Sequence, residues 1–212
     1  MLIDMHVIGY HEAVDFLLPR HYSGRVPSIS YAFGLYVDKA LKAVCTFGSP
    51  ASPSLCKGVA GDKWKHNVIE LNRLCREDDY DGHLSQFVAY CLRELKKYNL
   101  IVVSYSDTAM HHHGYIYQAC NFLYTGRTRA RTDKYTEGNK HSRHYDNNKQ
   151  SGLRKFRSSK YRYIYFCADK RTKRAMLADL KYPIISEYPK GDNENYILGE
   201  YLKPKIVVDN RK

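Results

Sequence analysis

An apolar run with no alternation, Leu100 to Ser104, breaks into a Ser/Asp/Thr-rich turn and then into a short helical segment. The stretch from Val102 to Gly126 reads VVSYSDTAMHHHGYIYQACNFLYTG, and its order restricts the fold more than any other part of the chain. The unbroken apolar run marks a buried strand. The following helix carries Tyr117 and stops at Asn121-Phe122, before Gly126. Asn is the best non-glycine residue for the left-handed backbone that ends a helix, so a tight turn is expected at Asn121. Just upstream, Leu84, Phe87, Val88, Cys91, Leu92 and Leu95 recur at i, i+3, i+4, i+7, i+8 and i+11. That spacing predicts an amphipathic helix from about His83 to Tyr98, packed on the strand that follows.

Elsewhere, residues 2–8 read as a first strand and His11 to Leu18 as a helix closed by Pro19. Ile29 to Val37 and Leu41 to Phe47 form a predicted hairpin turning at Asp38-Lys39 and ending in the loop GSPASPS. Val68 to Leu74 is a further strand, Tyr161 to Ala168 another, and Thr172 to Leu180 a last helix. Strand, hairpin, strand, helix, strand, helix, strand argues for an α/β (α+β) fold, a mixed central sheet flanked by helices. One stretch departs from this rhythm. Between Arg127 and Arg162 stand 12 Lys/Arg and three acids, with few apolar residues between them. It reads as a basic surface arm at about 127–160, partly ordered, on a single domain spanning 1–212.

The charge points to a partner. The chain carries 34 Lys+Arg against 22 Asp+Glu, a formal net charge of +12, and a polyanion is the natural complement. Twenty tyrosines against seven phenylalanines offer rings with polar tips, suited to touching bases. In the arm, Tyr135, His141, His144, Tyr145, Phe156 and Tyr161 interleave with the cations. A charge run is usually a solvated face, but this one is long, single in sign and interleaved with rings, so phosphate contacts are expected from Arg127, Arg129, Arg131, Lys140, Arg143, Arg154, Lys155 and Arg157, with double-stranded DNA as partner. No run approaches a membrane-spanning length, and the N-terminus has no signal-peptide pattern. Six cysteines without a CxxC pair read as free thiols of a reducing cytoplasm rather than a zinc cluster.

Several residues carry chemistry. His21-Tyr22 sits on an early polar loop, where the pair could bind metal, take a proton or stack on a base; a loop histidine bonded to backbone is the plain alternative. A helix beginning near His83 could receive phosphate at its N-terminus, with Arg73, Gly82 and Ser85 as contacts. Arg73 could equally be a surface partner of Asp78 or Asp79, and Ser85 an ordinary first-turn residue. Among His111, His112 and His113, neighbours on a helix diverge by about 100°, so they cannot converge on one metal; His112 or His113 is the better candidate for a site. Tyr117, a phenol on a short helix, could give a proton or hydrogen bond to a leaving group, or be an aromatic core residue.

The segments SYSDTA, HHGYIYQA, NF and YTG, with VIELNRL at 68–74 and YRYIYF, KRTKR and LKYP further on, resemble the Mom DNA-modification proteins of bacteriophages. The likeness runs from about Arg20 to the Tyr-Pro-Lys-Gly at 188–191. It implies a fold like the GCN5-related acetyltransferases, with a cofactor cradle in which Asn121 stands where glycine is usual. The superfamily's Q/R-x-x-G-x-G/A phosphate loop is replaced here by Arg76-Glu-Asp-Asp-Tyr-Asp-Gly82-His-Leu-Ser85, with one glycine and four acids. Active-site roles are implied for His21, Tyr22, Arg73, Asp107 and Tyr117. Acetyl-CoA is the implied cofactor, and iron the implied metal, with His21, Tyr22 and Asp107 as its ligands. The implied product is adenine carrying a carbamoylmethyl (acetamido) group on N6, protecting phage DNA from restriction in the host cytoplasm. An N-acetyltransferase on another amine, and a DNA-binding protein without catalysis, are the alternatives.

Overall fold

The computed structural model describes residues 2–136, 152–192, 199–200, 203 and 205–208. Seven strands form the main sheet in the order β1 (Ile3–Val7), β2 (Tyr31–Val37), β3 (Ala40–Gly48), β4 (Val68–Arg76), β5 (Leu100–Asp107), β9 (Lys160–Cys167) and β6 (Leu123–Arg127). Among the described strands only β4 and β5 run parallel. The connection between them is the amphipathic helix α3 (Leu84–Leu95), as a parallel pair requires. The β2–β3 hairpin turns at Asp38 (φ 46°) and Lys39 (φ 71°), both left-handed, the type I′ geometry that matches strand twist.

The two faces of the sheet bury separate clusters. On one, Phe87, Val88, Cys91, Leu92 and Leu95 of α3 pack with Phe33, Phe47, Leu71, Val102, Phe122 and Tyr163. Each of these large side chains contributes about 1.5–3 kcal/mol through area removed from water. On the other face, Ile101, Val103, Ile164 and Phe166 meet Val59 of α2 (Pro53–Trp64) and Met176 of α5 (Lys170–Ala178). Alternate residues of β5 thus enter opposite clusters, which is why its sequence is apolar without alternation. Helix α1 (Tyr10–Leu17) covers the outer strands with Ala13, Phe16 and Leu17. All six cysteines are free thiols, and five of them are buried.

Two elements differ from the sequence reading. The loop at GSPASPS leads into α2: Ser52 accepts from the Leu55 N–H at 3.3 Å and Pro53 opens the helix. A Ser cap followed by Pro is a helix start as well as a loop signal, and the stretch was short of apolar periodicity. The basic stretch also carries strands among its described residues: Arg127 ends β6, Lys160 begins β9, and residues between them build a second sheet. There β7 (Arg131–Lys134) and β8 (Leu153–Arg157) pair antiparallel, and β10 (Ile206–Val208) adds to β8.

The candidate active site is the gap between two diverging strands

The β4–β5 ladder is four pairs long, from Val68↔Ile101 to Leu71↔Ser104. Beyond it β4 stays with β3 as far as Arg76, while β5 stays with β9 as far as Asp107. The strands therefore splay. A bulge causes it: Leu71 pairs with Phe47 but Arg73 pairs with Thr46, so Asn72 has no opposite residue. Side-chain bonds clamp the bulge, from Thr46 Oγ1 to Asn72 Oδ1 at 2.8 Å and from Asn72 Nδ2 to the Ser28 carbonyl at 2.6 Å. Gly48 lets that carbonyl approach, since a Cβ there would lie 1.8 Å from the Ser28 oxygen.

The splay opens a cavity of about 280 Å³ lined by β4 from Glu70 to Arg76, by Tyr105 and Ser106 of β5, and by α4 (Tyr115–Ala119). His21, Tyr22, Asp78, Leu84, His112 and Lys160 also line it. The early loop is held over it by Arg20, which pairs with Glu77 at 2.7 Å. Of the residues proposed from sequence, His21, Tyr22, Arg73 and Tyr117 meet in this cavity. Asp107 reaches it through Lys160, whose ammonium it holds at 2.5 Å. Gly82, Ser85 and Asn121 lie outside the lining. Gly82 packs under the Tyr80 ring, where an added Cβ would meet the phenol oxygen at 2.2 Å. The Ser85 carbonyl accepts from the Cys120 thiol at 3.3 Å.

Asn121 is left-handed at φ 59°. Phe122 N–H donates to the Tyr117 carbonyl and Asn121 N–H to that of Gln118, both at 3.0 Å. These are the two bonds of a Schellman helix end. Asn121 therefore sets the turn that ends α4, and α4 carries Tyr117.

Two of the four acids in the stretch from Arg76 to Ser85 are held in local pairs. Glu77 is bound by Arg20 and Asp79 by Lys42 at 2.6 Å, while Asp78 lines the cavity. Asp79 is thus the partner of Lys42, and Arg73 donates to the Asn72 carbonyl at 2.6 Å.

His21 is buried and stacks on Tyr22, with ring centroids 4.3 Å apart. Its Nδ1 accepts from the Ser23 N–H at 3.1 Å. A backbone N–H can only donate, so the ring proton sits on Nε2. Burial, then Arg73, His112 and Lys160, push the imidazole down to about 2. His21 is accordingly a neutral hydrogen-bond donor rather than a base. Burial and then Asp107 raise the Tyr22 phenol to about 12, so it too keeps its proton. Tyr117 is raised further by burial, although Ser104 opposes the shift.

Sequence reasoning missed Glu70. It sits on β4 at the last rungs of the parallel ladder and lines the cavity. Burial lifts its carboxyl to about 6, against the opposing pull of Arg73 and Lys160. A carboxylate poised there can accept a proton near neutral pH. The signal was present as one charge inside an otherwise apolar strand, VIELNRL. Ser106 was also missed; its hydroxyl is buried in the cavity wall with no hydrogen-bond partner among the described residues.

The histidine run separates. His111 is left-handed and exposed, His112 meets Tyr22 edge-on at 6.2 Å, and His113 stacks on Tyr161 at 5.9 Å. The ligand set implied for iron does not fit. Nδ1 of His21 is occupied by Ser23, and Asp107 is engaged at one oxygen by Lys160 and at the other by Ser158 and the Ala109 N–H. Arg73 and Lys160 add positive charge beside it. Among the described residues no group of three or more His, Cys, Asp or Glu side chains could hold a metal ion.

The cations proposed for DNA are distributed over the small sheet and its approach. Arg127 donates to Ser159 Oγ at 2.7 Å and lies over the Tyr161 ring, and Arg129 is exposed in the connection to β7. Arg131 and Arg157 share Asp133, and Arg154 donates to Thr132 at both its hydroxyl and its carbonyl. Lys155 lies between them on β8. Lys140 and Arg143 fall outside the described residues. No helix among the described residues is long and apolar enough to cross a membrane.

A sequence profile of the Mom protein family matches residues 3–190. The chain belongs to the Mom family. No curated protein sequence matches it at a significant level. Among solved structures, an N-acetyltransferase from Staphylococcus aureus Mu50 is similar at a TM-score of 0.50 and 13% identity, over 79% of this chain and 99% of that one. A Salmonella typhimurium protein described as an acetyltransferase, solved with its cofactor acetyl-CoA, gives a TM-score of 0.50 at 7% identity, over 79% and 95% of the two chains. This Mom-family chain therefore has the GCN5-related acetyltransferase fold, with a mixed sheet between helices and the splayed strands at its centre.

Proposed function

We propose that this Mom-family protein modifies the N6 amine of adenine in DNA, giving the carbamoylmethyl (acetamido) base that protects phage DNA from restriction. The observation that carries the reading is the cavity at the strand splay, in a chain of this family, with a poised carboxyl, Glu70, beside the donors His21, Tyr22 and Arg73. The N6 lone pair is delocalised into the ring, so the amine needs orientation and a base. Glu70 takes the proton. The Nε2–H of His21 and the Tyr22 hydroxyl donate to acceptors on the base or the transferred group, and Arg73 supports developing negative charge. An adenine in a duplex must first leave the stack, which costs a few kcal/mol offset by contacts to the extruded base.

Acetyl-CoA suits the gap as donor. The facing edges of β4 and β5 have no strand partner beyond Leu71 and Ser104, Ser106 offers an unused hydroxyl, and Leu84 of the first turn of α3 lines the cavity. It would supply an activated two-carbon unit. Plain acetyl transfer forms an amide at the carbonyl carbon and releases the CoA thiol; joining N6 to the adjacent carbon as a carbamoylmethyl group also requires a two-electron oxidant and an ammonia-level nitrogen donor for the terminal amide, neither of which acetyl-CoA carries. The roles given to Glu70, His21, Tyr22 and Arg73 concern N6 and are common to both outcomes.

The test is digestion of plasmid DNA from cells expressing the protein. Resistance to enzymes whose sites contain adenine, with normal cutting at sites lacking it, is expected. Unaltered digestion, together with acetylation of a free amine in vitro, would transfer the reading to an ordinary N-acetyltransferase.

A further inference from the structure

Asp107 and Lys160 have so far no separate roles. Asp107 is buried and its oxygens are consumed: Oδ2 by Lys160 Nζ at 2.5 Å, Oδ1 by Ser158 Oγ at 2.5 Å and by the Ala109 N–H at 3.0 Å. Burial alone would raise this carboxyl, but Lys160, Ser158 and Ala109 outweigh it and hold it below the usual range. It is therefore a fixed anion, neither a base nor an acid at neutral pH. Lys160 differs in being accessible. Its side chain is 37% exposed, it lines the cavity, and an ammonium has three donors of which Asp107 takes one.

The position of Lys160 in the chain indicates its ligand. It is the first residue of β9, and only Ser158 and Ser159 separate it from Arg157 at the end of β8. Strand alternation puts Lys155 and Arg157 on one face of the small sheet. Arg25, on the loop just after Tyr22, lies within electrostatic range of both Arg157 and Arg73. Cations of the small sheet and of the early loop therefore lie near the cavity that Arg73 and Lys160 line. Among the described residues Arg157 is bridged to Asp133 and Lys160 to Asp107. A base inserted in the cavity leaves its phosphodiester at the mouth.

We infer that Lys160 binds the phosphate flanking the extruded nucleotide, and that Asp107 is a positioning residue acting through Lys160. The inference rests on the nucleic-acid reading above and assigns its phosphate contact beside the base to one residue.

The test uses the full-length protein and a fluorescein-labelled single-stranded oligonucleotide with one adenine among thymines, read by anisotropy over a salt series. A second oligonucleotide carries neutral methylphosphonates on both sides of the adenine. Wild type should bind the methylphosphonate strand about tenfold more weakly, the loss of one charged contact. Lys160→Gln should bind the phosphate strand about tenfold more weakly than wild type, show no further loss with methylphosphonate, and lose about 0.7 from the salt slope. Lys160→Arg should restore the sensitivity, and Asp107→Asn should reduce it. A Lys160→Gln protein as sensitive to methylphosphonate as wild type overturns the assignment while leaving nucleic-acid binding intact. Wild type that binds neither strand overturns the nucleic-acid reading and this inference with it.

Discussion

Ser104 and Leu71 form the last rung between the two parallel strands, and the Ser104 hydroxyl donates to the Leu71 carbonyl at 2.9 Å. This bond closes the apex of the gap in which every proposed chemical group sits. Below it the strands are paired and apolar except for Glu70, which lines the cavity; above it Asn72 bulges, β4 turns away, and the gap opens.

The bulge should be separable from the chemistry. Asn72→Ala removes both clamps and is expected to cost about 1–3 kcal/mol, the usual penalty for losing buried hydrogen bonds. Urea unfolding reads the loss. If activity falls while Glu70, His21 and Tyr22 are untouched, the bulge positions the site; a variant with full stability and full activity would remove it from the account.

Glu70 makes a prediction of opposite signs. Its folded carboxyl lies near 6 against 4.5 for the unconstrained group. Below pH 4.5 both states are neutral and the site costs nothing; above 6 the folded state carries a buried charge that the unfolded state hydrates. Glu70→Gln should therefore stabilise the protein by about 2 kcal/mol at pH 8 and leave stability nearly unchanged at pH 4. Its activity should fall by about 10²-fold or more, and wild-type activity should rise with pH through about 6. A stability gain equal at both pH values would contradict the burial argument.

His21 is expected to keep one tautomer. Nitrogen-15 NMR should show a proton on Nε2, none on Nδ1, and no titration between pH 8 and 5. Titration near the ordinary histidine value of about 6.5 would show that the ring is neither buried nor held by Ser23.

Asn121 tests how α4 ends. Asn121→Gly should preserve or slightly raise the melting temperature, whereas Asn121→Ala should cost about 1 kcal/mol through the left-handed backbone. Equal stability of both would mean that the turn does not depend on φ at this position.

This last turn was legible in the sequence, because Asn at a helix end has a local backbone reason. So was α3, whose period places five buried side chains on one face. The convergence of His21, Tyr22, Arg73 and Tyr117 came from family resemblance rather than from spacing. Their chain separations carry no trace of the bulge that brings them together. Glu70 escaped notice because its importance is a matter of burial, which depends on the sheet around it. The small sheet escaped as well. Lys155 and Arg157 are paired strand residues, but their charges suppress the hydrophobic alternation by which strands are recognised.

The central claim is that this cavity modifies adenine. Nucleosides from plasmid DNA of cells expressing wild type, Tyr22→Phe or Glu70→Gln should be compared by mass spectrometry. The account predicts a new deoxyadenosine species at the mass of an acetamido adduct in wild type, absent or greatly reduced in both variants. Unmodified DNA from well-expressed, folded wild type, or the same adduct level in all three, would contradict it.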